Sequence, residues 1–240
     1  MKSITLTSTI SSKPRLLALC AALGGALMLA ACGGGSDNDS GTPVQTPKPN
    51  PVPVAPTTSC STAGIAAATA STAANVVCML TSDGEMVVEL DARAPITVAN
   101  FLKYVDAKYY DNTIFHRVVP GFVAQGGGFI TGYVSKSPGA NLGGTIKLET
   151  NVGVSNLKYT ISMARQATPF DSATSQFFFN SVDNSAVLDY KSATDPGYAA
   201  FGRVISGQAT VDKINAEPQL YTGAETPATE VLLYWAIRLR

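Results

Sequence analysis

Two apolar runs, Val76–Leu80 and Glu85–Leu90, flank Ser82-Asp83-Gly84. Asp-Gly between two such runs is a strong hairpin signal, because glycine accepts the positive φ that a tight turn demands. Short strand-like runs then alternate with Gly, Asn and Pro turns: Phe115–Val119, Phe122–Gln125, Tyr159–Ala164, Gln176–Phe179 and Ala200–Ile205. In the last segment Val231, Leu233, Trp235, Ile237 and Leu239 alternate and are expected to face one way, with Trp235 in the core. Only two stretches break this habit. Pro95 opens a helical pattern with Val98, Phe101, Leu102 and Val105 at i, i+3, i+4 and i+7, and Gln208–Asn215 forms a second short helical pattern. Many short strands with two helices predict a mainly β fold, a closed barrel, over residues 75–240. A domain of that length buries one good core, and no internal repeat divides it.

The chain before residue 75 has another texture. Lys2, Lys13 and Arg15 precede an apolar run, Leu16–Ala31, which is the charge-then-apolar pattern of a secretory signal over residues 1–31. The run is short and rich in Ala and Gly for a membrane span. Leu29-Ala30-Ala31-Cys32 resembles a bacterial lipobox, with Gly33-Gly34-Gly35-Ser36 following as a tether. That resemblance implies cleavage before Cys32, lipidation of Cys32 and a periplasm-facing lipoprotein of the bacterial envelope. Gly33 rather than Asp after the cysteine points to the outer membrane. Residues 32–74 read as a lipid-anchored linker rich in Pro, Gly, Ser and Ala, extended and semi-rigid where the prolines cluster. Its last part, residues 59–74, admits a short helix packed on the domain or more linker.

Charge and cysteines narrow the function classes. Loss of residues 1–31 removes three basic and no acidic groups, leaving 14 basic against 17 acidic residues, a net of −3. No basic patch offers itself to a phosphate backbone, so nucleic acid is not an expected partner. Cys20 leaves with the signal and Cys32 is claimed by lipid, so Cys60 and Cys78 remain. In an oxidising compartment an even pair suggests a disulfide; the other reading is two unpaired thiols, Cys78 being a small core residue. No ligand cluster suggests a metal.

The chemistry concentrates in FHRVVPGFVAQGGG, residues 115–128, and in SQFFFN, residues 175–180. The first run holds the single histidine, His116, beside Arg117 and ahead of Phe122 and Gln125. One arginine, one glutamine and several phenylalanines suggest an apolar pocket with a fixed cation, a site for polarising an amide without attacking it. A hydrolase is poorly supported, with no second histidine and no Gly-x-Ser-x-Gly. His116 is read as a hydrogen-bonded structural residue.

FHRVVPGFVAQGGGF, with ISMAR and SQFFFN after it, resembles the cyclophilin family of peptidyl-prolyl cis-trans isomerases, in style its periplasmic bacterial members. The likeness runs from about Val76 to the C-terminus. It implies an eight-stranded antiparallel closed barrel capped by two α-helices. It also implies an isomerase that needs no cofactor and takes proline-containing polypeptides, here folding proteins of the envelope. By this resemblance Arg117 is the catalytic cation. Phe122, Phe178 and Leu188 line the proline pocket with Val123 beside them, and Gln125 orients Arg117 and touches the peptide backbone. Ala164 and Arg165 lie along the groove, and Gln176 joins the substrate-binding set. Tyr198 departs from the family in standing where many members have a histidine. Alternation places Phe177 and Phe179 in the barrel and Phe178 at the groove. The rival reading is a chaperone or scaffold that grips proline segments without turnover. Nothing in the sequence demands more than a monomer.

Overall fold

The structure, a computed structural model, describes residues 53–240. The signal segment, Cys32 and the linker prolines up to Pro51 lie outside the described residues. The elements run α1 (Thr62–Ala70), β1 (Asn75–Thr81), β2 (Gly84–Leu90), α2 (Pro95–Asp106), β3 (Thr113–Phe115), β4 (Arg117–Val119), β5 (Val123–Gly126), β6 (Phe129–Ile130) and β7 (Val134–Ser135). They continue as β8 (Thr160–Met163), β9 (Phe177–Asn180), α3 (Ser185–Leu188), β10 (Ala200–Ser206), α4 (Gln208–Asn215) and β11 (Val231–Arg238). None of the described helices is long and apolar enough to cross a membrane.

All strands join one antiparallel sheet in the order β4-β5-β9-β8-β10-β2-β1-β11-β3-β6-β7. The strand count exceeds the expected eight for two local reasons. β3 and β4 are one segment interrupted at His116, and β6–β7 is a small ribbon of two-residue strands appended to β3. Because β4 starts the order and β3 lies near its end, covalent continuity through His116 brings the sheet back on itself. The two expected helices are α2 and α4; α1 and the single-turn α3 are additional.

The hairpin forms as the sequence predicts, with Thr81 paired to Gly84 across the Ser82-Asp83 turn. Thr81 Oγ1 accepts from the Asp83 amide at 3.1 Å and donates to the Gly84 carbonyl at 2.8 Å. Gly84 has φ +140°, and a β-carbon there would stand 2.6 Å from Thr210 Oγ1 of α4. Gly127 makes the second essential bend, between β5 and β6: its φ is +80°, and a β-carbon would lie 2.9 Å from the Tyr110 ring.

The barrel interior is aromatic, with Phe101, Tyr104 and Tyr110 from α2 and the following turn meeting Phe115, Phe177, Phe179 and Phe201 from the sheet. A second apolar layer forms outside it. Val77 and Met79 of β1 point inward, while Val76, Cys78 and Leu80 pack outward with Val87, Trp235, Cys60 and Ala68. Burial of both faces explains why Val76–Leu80 is continuously apolar rather than alternating. α1 supplies the outer cover, so residues 62–70 are helix, not linker. Ser61 caps it, accepting from the Gly64 amide at 3.0 Å. Glu85 on β2 takes the Ser61 amide at 2.8 Å and the Ser61 hydroxyl at 2.6 Å. Cys60 and Cys78 are joined as a disulfide, which ties the start of this helix to β1.

One expectation about β11 is corrected. Leu80 pairs with Trp235 but Thr81 pairs with Leu233, so a bulge inserts Tyr234. An extra residue shifts the two-residue side-chain period by one. Val231 and Leu233 therefore face the barrel, whereas Trp235, Ile237 and Leu239 join the outer layer. Trp235 is buried there, and its indole N–H donates to the Thr57 carbonyl at 2.6 Å.

Candidate active site

Strand register assembles the site. Arg117 on β4 stands opposite Gln125 on β5, Gln125 opposite Phe178 on β9, and Phe178 opposite Ser162 on β8. Directly opposed residues project from the same face of a sheet. These four make one outward row, and the inward row beside it is Val118, Ala124, Phe179 and Ile161, all within the barrel core. Phe177 and Phe179 thus point into the barrel and Phe178 outward. Phe178 packs with buried Val123 and Leu188 in a cluster separate from the barrel, and Phe122, Ala164 and Tyr198 flank it half-buried. The Tyr198 ring meets Phe178 edge-on at 5.7 Å. Six residues named from the sequence, drawn from 122 to 198, therefore share one apolar rim of the barrel.

A polar network that sequence reasoning missed holds this rim in place. The Phe122 carbonyl accepts from Asn184 Nδ2 at 2.9 Å and from the Ser181 hydroxyl at 3.0 Å. Asn156 Nδ2 donates to the Leu188 carbonyl at 3.2 Å, the Tyr198 carbonyl at 3.1 Å and Asp189 Oδ1 at 2.8 Å. Asn156 Oδ1 accepts from Ser162 Oγ at 2.7 Å, and Asn180 Nδ2 donates to Thr160 Oγ1 at 3.0 Å. Asn156 and Asn180 are fully buried. Buried amides stay favourable only when their hydrogen-bonding groups are matched, so such a network admits one arrangement of the loops it joins. The only sequence signal was asparagine itself, which in a single chain looks like turn chemistry.

The charged groups depart from expectation in their partners. Gln125 does not hold Arg117; its amide donates to Gln176 Oε1 at 2.9 Å. Arg117 instead gives Nε to Glu225 Oε2 at 2.6 Å and Nη2 to Glu225 Oε1 at 3.0 Å. A carboxylate matches the guanidinium fork with two charge-assisted bonds, which a neutral glutamine amide cannot supply. Arg165 lies at the other end of the rim. Its guanidinium carbon sits 4.5 Å from the Tyr198 ring centre and 5.1 Å from that of Phe170, and Nη2 donates to the Gly197 carbonyl at 2.7 Å.

The hydrogen bonding expected of His116 is incomplete. Its Nδ1 is buried without a partner, and its ring rests against Phe129 at 4.4 Å. Burial lowers its pKa to about 4, and the Arg117 charge adds to the effect. The Ile114 backbone and the Gln176 side chain oppose this shift, Ile114 by more than the Arg117 charge assists it, but burial prevails. The imidazole is therefore neutral at neutral pH. A recess of about 660 Å³ elsewhere on the barrel takes in Arg93 and Arg203, but these pair with Asp91 and Glu89 and present no unmatched charge.

Comparison with known proteins agrees with this geometry. Residues 76–234 match the family described as cyclophilin type peptidyl-prolyl cis-trans isomerase/CLD. The chain is 46% identical over 147 residues to peptidyl-prolyl cis-trans isomerase A of Dickeya dadantii, covering 61% of this chain and 74% of that protein. It is 47% identical over 141 residues to an Acinetobacter baylyi peptidyl-prolyl cis-trans isomerase, covering 58% and 71%. Against peptidyl-prolyl cis-trans isomerase B of Escherichia coli it is 44% identical over 136 residues, covering 56% and 80%. Among solved structures, a cyclophilin type isomerase of Cryptosporidium parvum shares the fold with a TM-score of 0.56 at 24% identity, over 69% of this chain and 98% of that one. The match through the whole barrel, together with the bacterial relatives, means that this chain belongs to the cyclophilin-type peptidyl-prolyl cis-trans isomerase family.

Proposed function

We propose that the chain speeds X-Pro rotation in envelope proteins by presenting Arg117 to a peptide bound along the rim of Phe122, Val123, Phe178, Leu188 and Tyr198. One observation carries the reading: a single cross-strand row sets Arg117 and Gln125 beside Phe178 and its apolar cluster. Rotation about a peptide bond meets a barrier of ~18–20 kcal/mol because conjugation must be broken. In the twisted amide the proline nitrogen becomes pyramidal and gains a lone pair. A donor aimed at that nitrogen stabilises the twisted state more than the planar one and so lowers the barrier. Arg117 suits the role because it is always charged and its donors lie in a plane. The apolar surroundings strengthen its field and disfavour the more dipolar planar amide. An acceleration of ~10⁵-fold needs about 7 kcal/mol of such differential stabilisation. Ala164 and Arg165 serve the residues before proline, and Gln125 with Gln176 offers amide groups to the peptide backbone.

The envelope setting rests on residues 1–32, with lipidation at Cys32 and the linker as a leash. The test is cis/trans exchange of an Ala-Pro peptide followed by NMR, with the mature domain and with Arg117→Ala. Loss of one preorganised donor is expected to slow catalysed exchange by about 10²-fold or more. Equal exchange in both proteins would remove Arg117 from the mechanism. Binding of the peptide without acceleration by wild type would favour the non-catalytic chaperone.

A further inference from the structure

We infer that Glu225 is the positioning residue for Arg117, fixing which edge of the guanidinium faces the bound amide. The inference rests on the proposed role of Arg117. Glu225 lies 108 residues further along the chain, yet two independent contacts bring it to β4. The Val118 amide donates to the Glu225 carbonyl at 2.6 Å, and the carboxylate takes Nε and Nη2 of Arg117 at 2.6 and 3.0 Å. The loop that carries Glu225 is closed on itself: the Ala228 amide donates to the Pro218 carbonyl at 2.7 Å and the Leu220 amide to the Thr226 carbonyl at 2.9 Å. Its backbone position is therefore set without the side chain.

A guanidinium has five N–H donors in a plane. The bidentate pair consumes the Nε–H and one Nη2–H and blocks rotation about the Cδ–Nε bond. Both Nη1 hydrogens and the outer Nη2 hydrogen remain for the substrate. Glu225 is the only carboxylate within ion-pair distance of Arg117 among the described residues. The side chains of the pair are 32% and 54% exposed, a setting in which ion pairs contribute little to stability. Its consequence is thus orientation rather than fold. Orientation matters because hydrogen bonds weaken steeply as they bend below ~120°. A reacting group misplaced by ~1 Å costs about 10²-fold in rate.

The experiment compares wild type, Glu225→Ala and Glu225→Gln in Ala-Pro peptide exchange at varied peptide concentration. In parallel, the Arg117 Nε–H resonance is followed in ¹⁵N-labelled protein, assigned by its loss in Arg117→Ala. Glu225→Ala is expected to lower kcat by about 10- to 100-fold with KM changed less than about twofold, and the Arg117 Nε–H signal collapses into the exchanging arginine envelope. Glu225→Gln, which keeps the length and one acceptor, restores part of both. Circular dichroism melts close to wild type are expected for both variants, since the backbone contact at Val118 survives. An unchanged Arg117 signal in Glu225→Ala overturns the inference, as does an unchanged kcat. A rise in kcat also overturns it, because Glu225 would then be a competitor that substrate must displace. If wild type itself fails to accelerate exchange, the catalytic reading of Arg117 fails, while the Nε–H signal still decides whether Glu225 orients it.

Discussion

Adjacent phenylalanines on β9 should respond to the same substitution in opposite ways. Phe177 is fully buried at the centre of the barrel, where four rings meet it: Phe101, Tyr110, Phe115 and Phe179, at 5.7, 5.2, 6.1 and 5.7 Å. The interplanar angles lie between 77° and 89°, the edge-to-face arrangement that adds to simple burial. Phe→Ala in a core costs ~3–5 kcal/mol, and most where neighbours cannot collapse into the void. Rings from α2, the turn after it, β3 and β9 itself leave little room for collapse, so Phe177→Ala belongs near 5 kcal/mol. At ~2–4 °C per kcal/mol for a domain of this size, that is a fall in Tm of roughly 10–20 °C. Phe178 makes its ring-to-ring contact with Tyr198 and sits on the outer rim, so Phe178→Ala belongs near 3 kcal/mol. Urea titration measures stability, and peptide exchange at 10 °C measures activity per folded molecule. Phe177→Ala should retain activity within a few-fold while losing the greater stability; Phe178→Ala should lose at least about tenfold in kcat/KM. Each buried CH₂ of proline forgoes ~0.8 kcal/mol when its pocket wall is removed, and two such groups account for that factor. Equal destabilisation with activity intact in Phe178→Ala would refute the assignment of faces.

Two further outcomes follow from buried chemistry. His116 titrates near 4 in the folded protein against about 6.5 in the unfolded chain, so between those values the unfolded state holds more protons. Its contribution is complete above pH 6.5 and is lost as pH falls toward 4. At ~1.4 kcal/mol per unit this amounts to at most about 3–4 kcal/mol. Urea midpoints of wild type should therefore fall more steeply from pH 7 to 4.5 than those of His116→Gln, and parallel curves would refute the assignment. The Cys60–Cys78 link closes a loop with a sequence separation of 18, worth about 3 kcal/mol in the chain-entropy account. Cys60→Ala with Cys78→Ala should lower Tm by roughly 6–12 °C and expose the α1 amides to hydrogen exchange; unchanged protection of α1 would show that its packing alone suffices.

Local pattern determined the elements well, and the reason is that each signal lies within a few residues. Asp83-Gly84, the Val98–Val105 stripe of α2 and the period-two phenylalanines of β9 state their own geometry, so the strands, both main helices and the split of Phe177 from Phe178 were legible. The order of the motifs identified the family, and with it the residues that gather on the rim. What was not legible depends on partners remote in sequence. The bulge at Tyr234 reverses the face of Trp235 because β1 skips a residue in pairing, which no alternation in β11 reveals. Residues 62–70 become a packed helix because an outer apolar layer of β1, β2 and β11 awaits a cover. Asn156, Asn180 and Asn184 acquire meaning only when the loop before β8, the end of β9 and the start of α3 converge on buried amides. Above all, the sequence by itself determined that an arginine stands beside an apolar pocket. Only the tertiary structure decided that Glu225 rather than Gln125 grips it, because a salt bridge is set by distance in space and the fold alone closes the 108 residues between them.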